Sequence, residues 1–201
     1  MRVDGSHDQR TAHATRFCIS PCRSGSTMLL RAFSQHTDAT CSYQAIKGAL
    51  RTDGAECHSI IDITNVDTPF LINKETLGPH NLEEAMYRVF RNRSDVELTW
   101  PIFLFRDPVR TWNGWVKQGW LDFDVFQLAY VECYKWYLYA KAIRTDVLCV
   151  TYEQLTADTE STLSLMCRYW GLENQNIHSW HADENWKDRC VDCRPTNLRV
   201  A

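Results

Sequence analysis

The run Pro21-Cys22-Arg23-Ser24-Gly25-Ser26-Thr27 lies between the apolar run Phe17-Cys18-Ile19 and the helix-like stretch Met28-Leu29-Leu30-Arg31-Ala32-Phe33. The segment predicts a strand, a tight turn and a helix, a unit of a parallel sheet covered by helices. The same turn predicts an anion cradle. Small residues let successive backbone N–H groups point inward, and the new helix adds the positive end of its dipole. Ser24, Ser26 and Thr27 supply hydroxyls and Arg23 a fixed charge. The ligand class this predicts is a phosphate or sulfate ester.

The rest of the chain fits the same plan. Strand-like runs are Arg16–Ser20, Phe70–Asn73, Pro101–Phe105 and Val147–Thr151, with Ser59–Thr64 as a weaker fifth. Between them fall helical patterns. One opens at Asn81 as N-cap with Glu84 three residues on, carries Leu82, Ala85, Met86, Val89 and Phe90 as its apolar stripe, and ends in Arg88, Arg91 and Arg93. Another starts at Asp107-Pro108, a cap followed by proline at the first helical position. A third runs from Val125 to about Ile143, and a last opens at Asp158 or Thr159 and stops at Gly171. The expected class is α/β: three layers, a central parallel sheet with helices on both faces. A flexible N-terminal tail is expected over residues 1–15 and a single domain over 16–201 of the 201 residues.

Composition narrows the partners. A formal net charge of −3 provides no global basic surface, so nucleic acid is not an expected partner. The first fifteen residues contain no apolar stretch of the signal-peptide kind, and no run is long enough to cross a bilayer. No membrane partner and a cytoplasmic location are expected. Nine cysteines, several within apolar runs, suit reduced buried thiols better than a disulfide framework.

Three motifs stand in order: the turn 21–27, the junction Phe103-Leu104-Phe105-Arg106-Asp107-Pro108-Val109-Arg110, and Val147-Leu148-Cys149-Val150-Thr151-Tyr152-Glu153-Gln154-Leu155. Together they resemble those of the sulfotransferases, over about Phe17 to Leu172. The resemblance implies a P-loop NTPase-like sulfotransferase fold and 3′-phosphoadenosine 5′-phosphosulfate (PAPS) as co-substrate, with no metal required. It places Arg23, Ser24, Gly25, Ser26 and Thr27 on the 5′-phosphosulfate, Arg106 on the 3′-phosphate and Tyr152 beside the adenine. Arg23 is the expected electrostatic catalyst, bridging the oxygens between phosphate and sulfuryl group. Proton removal from the acceptor falls to a residue at the end of a strand after the turn. Glu75 is the first choice, with Lys74 orienting it or touching the sulfuryl oxygens and His80 and His58 in reserve.

Some positions depart from the family pattern. Gly114 stands where members carry a serine eight residues after the 3′-phosphate arginine, which leaves Thr111, Asn113 or Arg110 to replace that contact. Met28 replaces an aromatic after the turn. No glycine-containing basic loop is evident near the C-terminus, where Trp186-Lys187-Asp188-Arg189 is a poor substitute. A kinase-type Gly-x-x-x-x-Gly-Lys-Ser/Thr loop is absent.

Two signals lie outside these motifs. His178, His181, Cys190 and Cys193 have ligand types that suit a zinc site, with unligated surface residues as the alternative. The aromatic series Trp112, Trp115, Trp120, Phe123, Phe126, Tyr130, Tyr134 and Tyr137 reads mainly as core. Its Trp115–Trp120 part, by resemblance, faces the acceptor channel and would suit a flat hydrophobic or phenolic substrate. The expected function is transfer of a sulfuryl group from PAPS to a hydroxyl or amine of a small organic acceptor, in a setting such as secondary metabolism. A PAPS-independent cyclisation or isomerisation and a non-catalytic nucleotide-binding role stay open, as does the oligomeric state, a homodimer included.

Overall fold

The computed structural model describes residues 14–53, 66–173 and 190–191. Among the described residues, six parallel strands form one sheet: β1 Ala14–Pro21, β2 Ala39–Tyr43, β3 Phe70–Leu77, β4 Ile102–Phe105, β5 Leu148–Thr151 and the two-residue β6 Cys190–Val191. Their order across the sheet is β5-β4-β1-β3-β2-β6. The helices among the described residues are α1 Ser26–Phe33, α2 Ala45–Asp53, α3 Leu82–Met86, α4 Arg93–Thr99, α5 Pro108–Val116, α6 Phe123–Ile143, α7 Tyr152–Ala157 and α8 Thr159–Trp170.

Alternation along the strands splits the core in two. Phe17, Ile19, Leu77, Phe103 and Phe105 pack with Val125, Phe126, Ala129 and Cys133 of α6. Cys18, Cys41, Ile72, Ile102, Leu104 and Val150 pack with Leu29, Leu30 and Phe33 of α1 and with Leu163, Met166 and Trp170 of α8. The expected three-layer α/β architecture is therefore the observed one. From β1 the chain builds β2 and β3 on one side and then β4 and β5 on the other, so the strand order reverses between β1 and β4. The crevice beyond the carboxyl ends of two such strands is where open α/β sheets take their ligands.

Three local expectations need correction. β1 starts at Ala14, so Thr15, expected in the tail, is buried in the sheet. β3 runs to Leu77 rather than stopping at Asn73, because it is flanked by β1 along its whole length and by β2 as far as Lys74. The helix expected from Leu82 through Phe90 ends at Met86; Tyr87 turns extended and Asn92 caps the separate helix α4 by accepting from the Asp95 amide. The stripe is apolar because Val89 and Phe90 are buried, but they lie on a non-helical stretch pinned by the Tyr87 hydroxyl, which donates to Glu75 Oε2 at 2.9 Å. β2 and α2 carry no sequence expectation, and Ser59–Thr64 lies outside the described residues.

Candidate active site

The turn after β1 is held from several sides. Cys22 N donates to Leu77 O at 3.0 Å, and Cys22 O accepts from the indole N–H of Trp115 at 2.9 Å. Arg23 and Gly25 both take left-handed backbone angles, with φ of 71° and 96°. For Gly25 this is obligatory twice over, since a Cβ there would also stand 2.4 Å from the Tyr152 ring. Helix α1 then begins at Ser26 with no side chain capping its first turn. Its open amides are available to an anion.

β4 delivers the second turn beside the first. Asp107 caps α5 by accepting from the Arg110 amide at 2.8 Å, and Pro108 occupies the first turn, as the sequence predicts. Arg106 sits just before the cap. Its Nη1 donates to Arg23 O at 3.4 Å and its guanidinium lies 4.4 Å from the centre of the Tyr152 ring. Tyr130 OH donates to Arg106 O at 2.6 Å, fixing the backbone of this turn to α6. Thus β1, β4 and β5 contribute Arg23, Arg106 and Tyr152 to one corner of the sheet.

Two cavities meet there. The first, of about 270 Å³, is lined by Cys22, Arg23, Gly25, Ser26, Thr27, Met28, Tyr43, Gln44, Lys74, Thr76, Arg106, Trp120 and Tyr152. The second, of about 290 Å³, is lined by Arg23, Arg106, Arg110, Asn113, Gly114 and Lys117. Among the described residues it has four cationic side chains and no carboxylate. Gly114 has a geometric reason: a Cβ at that position would come within 3.2 Å of Cβ of Arg23, so the missing serine leaves room for the arginine stem.

Most residues singled out from the sequence converge on these cavities: Arg23, Gly25, Ser26, Thr27, Lys74, Arg106, Asn113 and Tyr152. Ser24 does not line them; it is fully buried with its Oγ unpartnered. Thr111 is corrected. It is buried in α5 and spends its hydroxyl on Asp107 O at 2.9 Å, so it makes no anion contact. His80 is exposed and stacks edge-on against Trp120, a first-cavity residue, with centroids 5.7 Å apart. Trp115 is fully buried and Trp112 packs against Phe123 and Phe126, which leaves Trp120 as the cavity-lining indole of the three. His58, His178, His181 and Cys193 lie outside the described residues; Cys190 pairs in register with Cys41 across β6 and β2.

Glu75 is the main correction. Because β3 continues past Asn73, residues 74 and 75 alternate across the sheet, with Lys74 facing the cavity and Glu75 facing away. The Glu75 carboxylate is fully buried and accepts from Ile46 N at 2.8 Å, Asn73 Nδ2 at 3.0 Å and Tyr87 OH at 2.9 Å. It closes the N-terminus of α2 and cannot reach an acceptor.

Lys74 Nζ is 3.3 Å from Thr27 Oγ1 and 3.8 Å from the centre of the Tyr43 ring. Burial pushes its ammonium down to about 8, against a smaller opposing pull from neighbouring Cys22, Cys18 and Glu75. The charged form attracts an anion. Affinity for an anionic nucleotide is therefore expected to be flat below pH 8 and to fall as pH rises above it, and Lys74→Met should remove that dependence. Calorimetric titration at a series of pH values checks this; an unchanged slope in the variant would show that another group carries it.

Sequence reasoning missed Tyr43, Gln44, Thr76 and Lys117. Lys117 was detectable, since positions 110, 113, 114 and 117 share one face of α5. Tyr43 ends β2 and Gln44 follows it, and that strand leaves no clear pattern in the sequence.

No protein-family model matches the sequence, and no curated protein matches it. Solved structures do share its fold. The sulfotransferase domain of the olefin synthase of Synechococcus PCC 7002 is 13% identical, with a TM-score of 0.61 over 92% of this chain and 82% of that one. The sulfotransferase of Alicyclobacillus acidocaldarius is 11% identical, with a TM-score of 0.52 over 87% of this chain and 88% of that one. With its motifs, its all-parallel sheet and its paired turns beyond β1 and β4, this chain has the sulfotransferase fold.

Proposed function

We propose that the chain is a PAPS-dependent sulfotransferase acting on a hydroxyl or amine of a small organic acceptor. One observation carries the reading: the two anion-binding turns stand side by side at the sheet's reversal point, with Arg106 bonded to the backbone of Arg23. A nucleotide with phosphates at both ends needs two separate cationic sites, and the two cavities offer them. The residues fit the group. Arg106 Nε is buried without a partner among the described residues, and the Gly25 turn leaves open backbone where a side chain would intrude.

PAPS, when bound, supplies an activated sulfuryl group on a phosphate leaving group. Arg23, Ser26, Thr27 and the first amides of α1 hold the 5′ end, with Arg23 placed to stabilise charge that builds on the bridging oxygen. Lys74, beside Thr27, neutralises the sulfuryl oxygens. Arg106, Arg110, Asn113 and Lys117 take the 3′-phosphate, doing the work of the serine that Gly114 replaces. Tyr152 walls the adenine and Trp120 the acceptor side. A cytoplasmic setting goes with this reading, supported by the free thiols of all seven described cysteines.

One observation favours a second reading, a non-catalytic nucleotide binder: among the described residues, neither cavity is lined by a carboxylate or an imidazole. Calorimetry with 3′-phosphoadenosine 5′-phosphate and transfer from labelled PAPS to a panel of phenols and metabolites separate the two. Arg106→Ala is expected to weaken binding of that nucleotide by about 1.5–3 kcal/mol, the range for losing a charged hydrogen bond. Wild-type affinity in the variant would overturn the placement of the 3′-phosphate.

A further inference from the structure

We infer that Thr76 and Lys47 form a proton relay at the floor of the first cavity, Thr76 Oγ1 taking the acceptor's proton while passing its own to Lys47 Nζ. This rests on the sulfotransferase reading and supplies the base that Glu75 cannot be.

Thr76 lines the cavity, and its Oγ1 is 3.1 Å from Nζ of Lys47, a fully buried lysine on α2. The hydrogen-bond inventory suits a neutral amine. A neutral Nζ has two N–H donors, which Gly78 O and Cys22 Sγ at 3.6 Å receive, and one lone pair, which the Thr76 hydroxyl meets. Thr76 Oγ1 in turn accepts from Gln44 Nε2; the Cys22 thiol, 3.2 Å away, has Gly78 O at 3.3 Å as its alternative acceptor, and with its proton there Thr76 Oγ1 keeps one lone pair for the acceptor's proton.

The charges around Lys47 point the same way. Glu84 is already held by the Arg51 fork, at 2.7 and 2.9 Å. From β3 come Lys74 and Glu75, from the turn Cys22 with Sγ at 3.6 Å, and from α3 Glu84, toward which His80 also acts. Arg51 and Lys74 offset the two carboxylates, so a protonated Lys47 would be a surplus buried charge. Burial accordingly pushes its ammonium down, against weaker pulls from Cys22 and Glu84.

The step balances. As the acceptor oxygen bonds to sulfur and the sulfur–phosphate oxygen bond breaks, the acceptor's proton moves to Thr76 Oγ1 and the Thr76 proton to Lys47. The leaving group keeps the bond's electron pair as phosphate oxygen, and the Lys47 ammonium later returns its proton to solvent.

Two arms test the relay on the full chain. In protein labelled at the lysine ε-carbons, carbon NMR follows Lys47, assigned by its loss in Lys47→Met. Its titration is expected below that of exposed lysines and should move upward in Thr76→Val, which removes the hydroxyl that bonds the neutral amine. A Lys47 that stays ammonium to high pH, one that moves downward in Thr76→Val, or a Cys22 thiolate paired with it would overturn the relay. In the second arm, PAPS and 2-naphthol are the substrates. Lys47→Met and Thr76→Val should each lower kcat about 10²-fold, with KM for PAPS unchanged and the rise of kcat with pH lost. Full kcat in Lys47→Met would overturn the relay. Wild-type protein that fails to bind 3′-phosphoadenosine 5′-phosphate would instead sink the sulfotransferase reading, while the NMR arm still decides the state of Lys47.

Discussion

Arg23→Ala is expected to lower kcat for sulfuryl transfer by about 10³-fold, the scale of losing a positive fork from a developing phosphate charge. The fold should survive. Arg23 is exposed, its side chain lies over Gly114, and no other side chain depends on it for a hydrogen bond among those seen here. Its structural contribution is a carbonyl that accepts from Arg106, which alanine retains. The left-handed backbone at this position strains arginine and alanine alike. Single-turnover transfer from labelled PAPS, alongside a thermal melt, reads both quantities. Wild-type turnover in a folded variant would leave the turn as a binding site only. Loss of folding would instead mean that the guanidinium stabilises the loop, which its exposure argues against.

The fold was legible where one interaction decided the local structure. The small-residue turn at 21–27, the Asp107-Pro108 start and the Gly171 stop each leave a mark in residue types that little else explains, and each stands where expected. The gathering of the candidate site was legible for the same reason, since its arginines and small residues sit at those junctions. What failed depended on neighbours distant in sequence. β3 outlasts its apolar run because β1 pairs with it as far as Leu77. That extension turned Glu75 from a strand-end acid into the buried cap of α2. The false continuation of α3 had a related cause: an apolar stripe reports burial, and an extended segment laid over a core buries Val89 and Phe90 as well as a helix would. Lys47 is the extreme case. Nothing in Ala45–Asp53 marks that lysine as buried, because its environment is assembled from β3, α3 and the turn after β1.

The second large effect concerns what holds the cradle in place. Trp115 is fully buried, packs at 5.3 Å from Phe126 and 5.8 Å from Trp120, and bonds to the carbonyl of Cys22, the residue before Arg23. Gly78 is tailored to it, since a Cβ there would stand 2.4 Å from the indole edge. Trp115→Ala is expected to destabilise the protein by about 3–5 kcal/mol, the range for emptying an aromatic site in a packed core. Denaturant titration followed by circular dichroism measures it. Trp115→Phe separates packing from positioning: much of the volume stays, but the Cys22 carbonyl loses its donor, at a cost of about 1–3 kcal/mol. If the indole aims the cradle as well as filling space, the phenylalanine variant should be folded at room temperature and yet bind 3′-phosphoadenosine 5′-phosphate several-fold more weakly. Unchanged affinity in that variant would assign Trp115 to the core alone and leave the Cys22 and Arg23 backbone to be set by the Leu77 and Arg106 contacts.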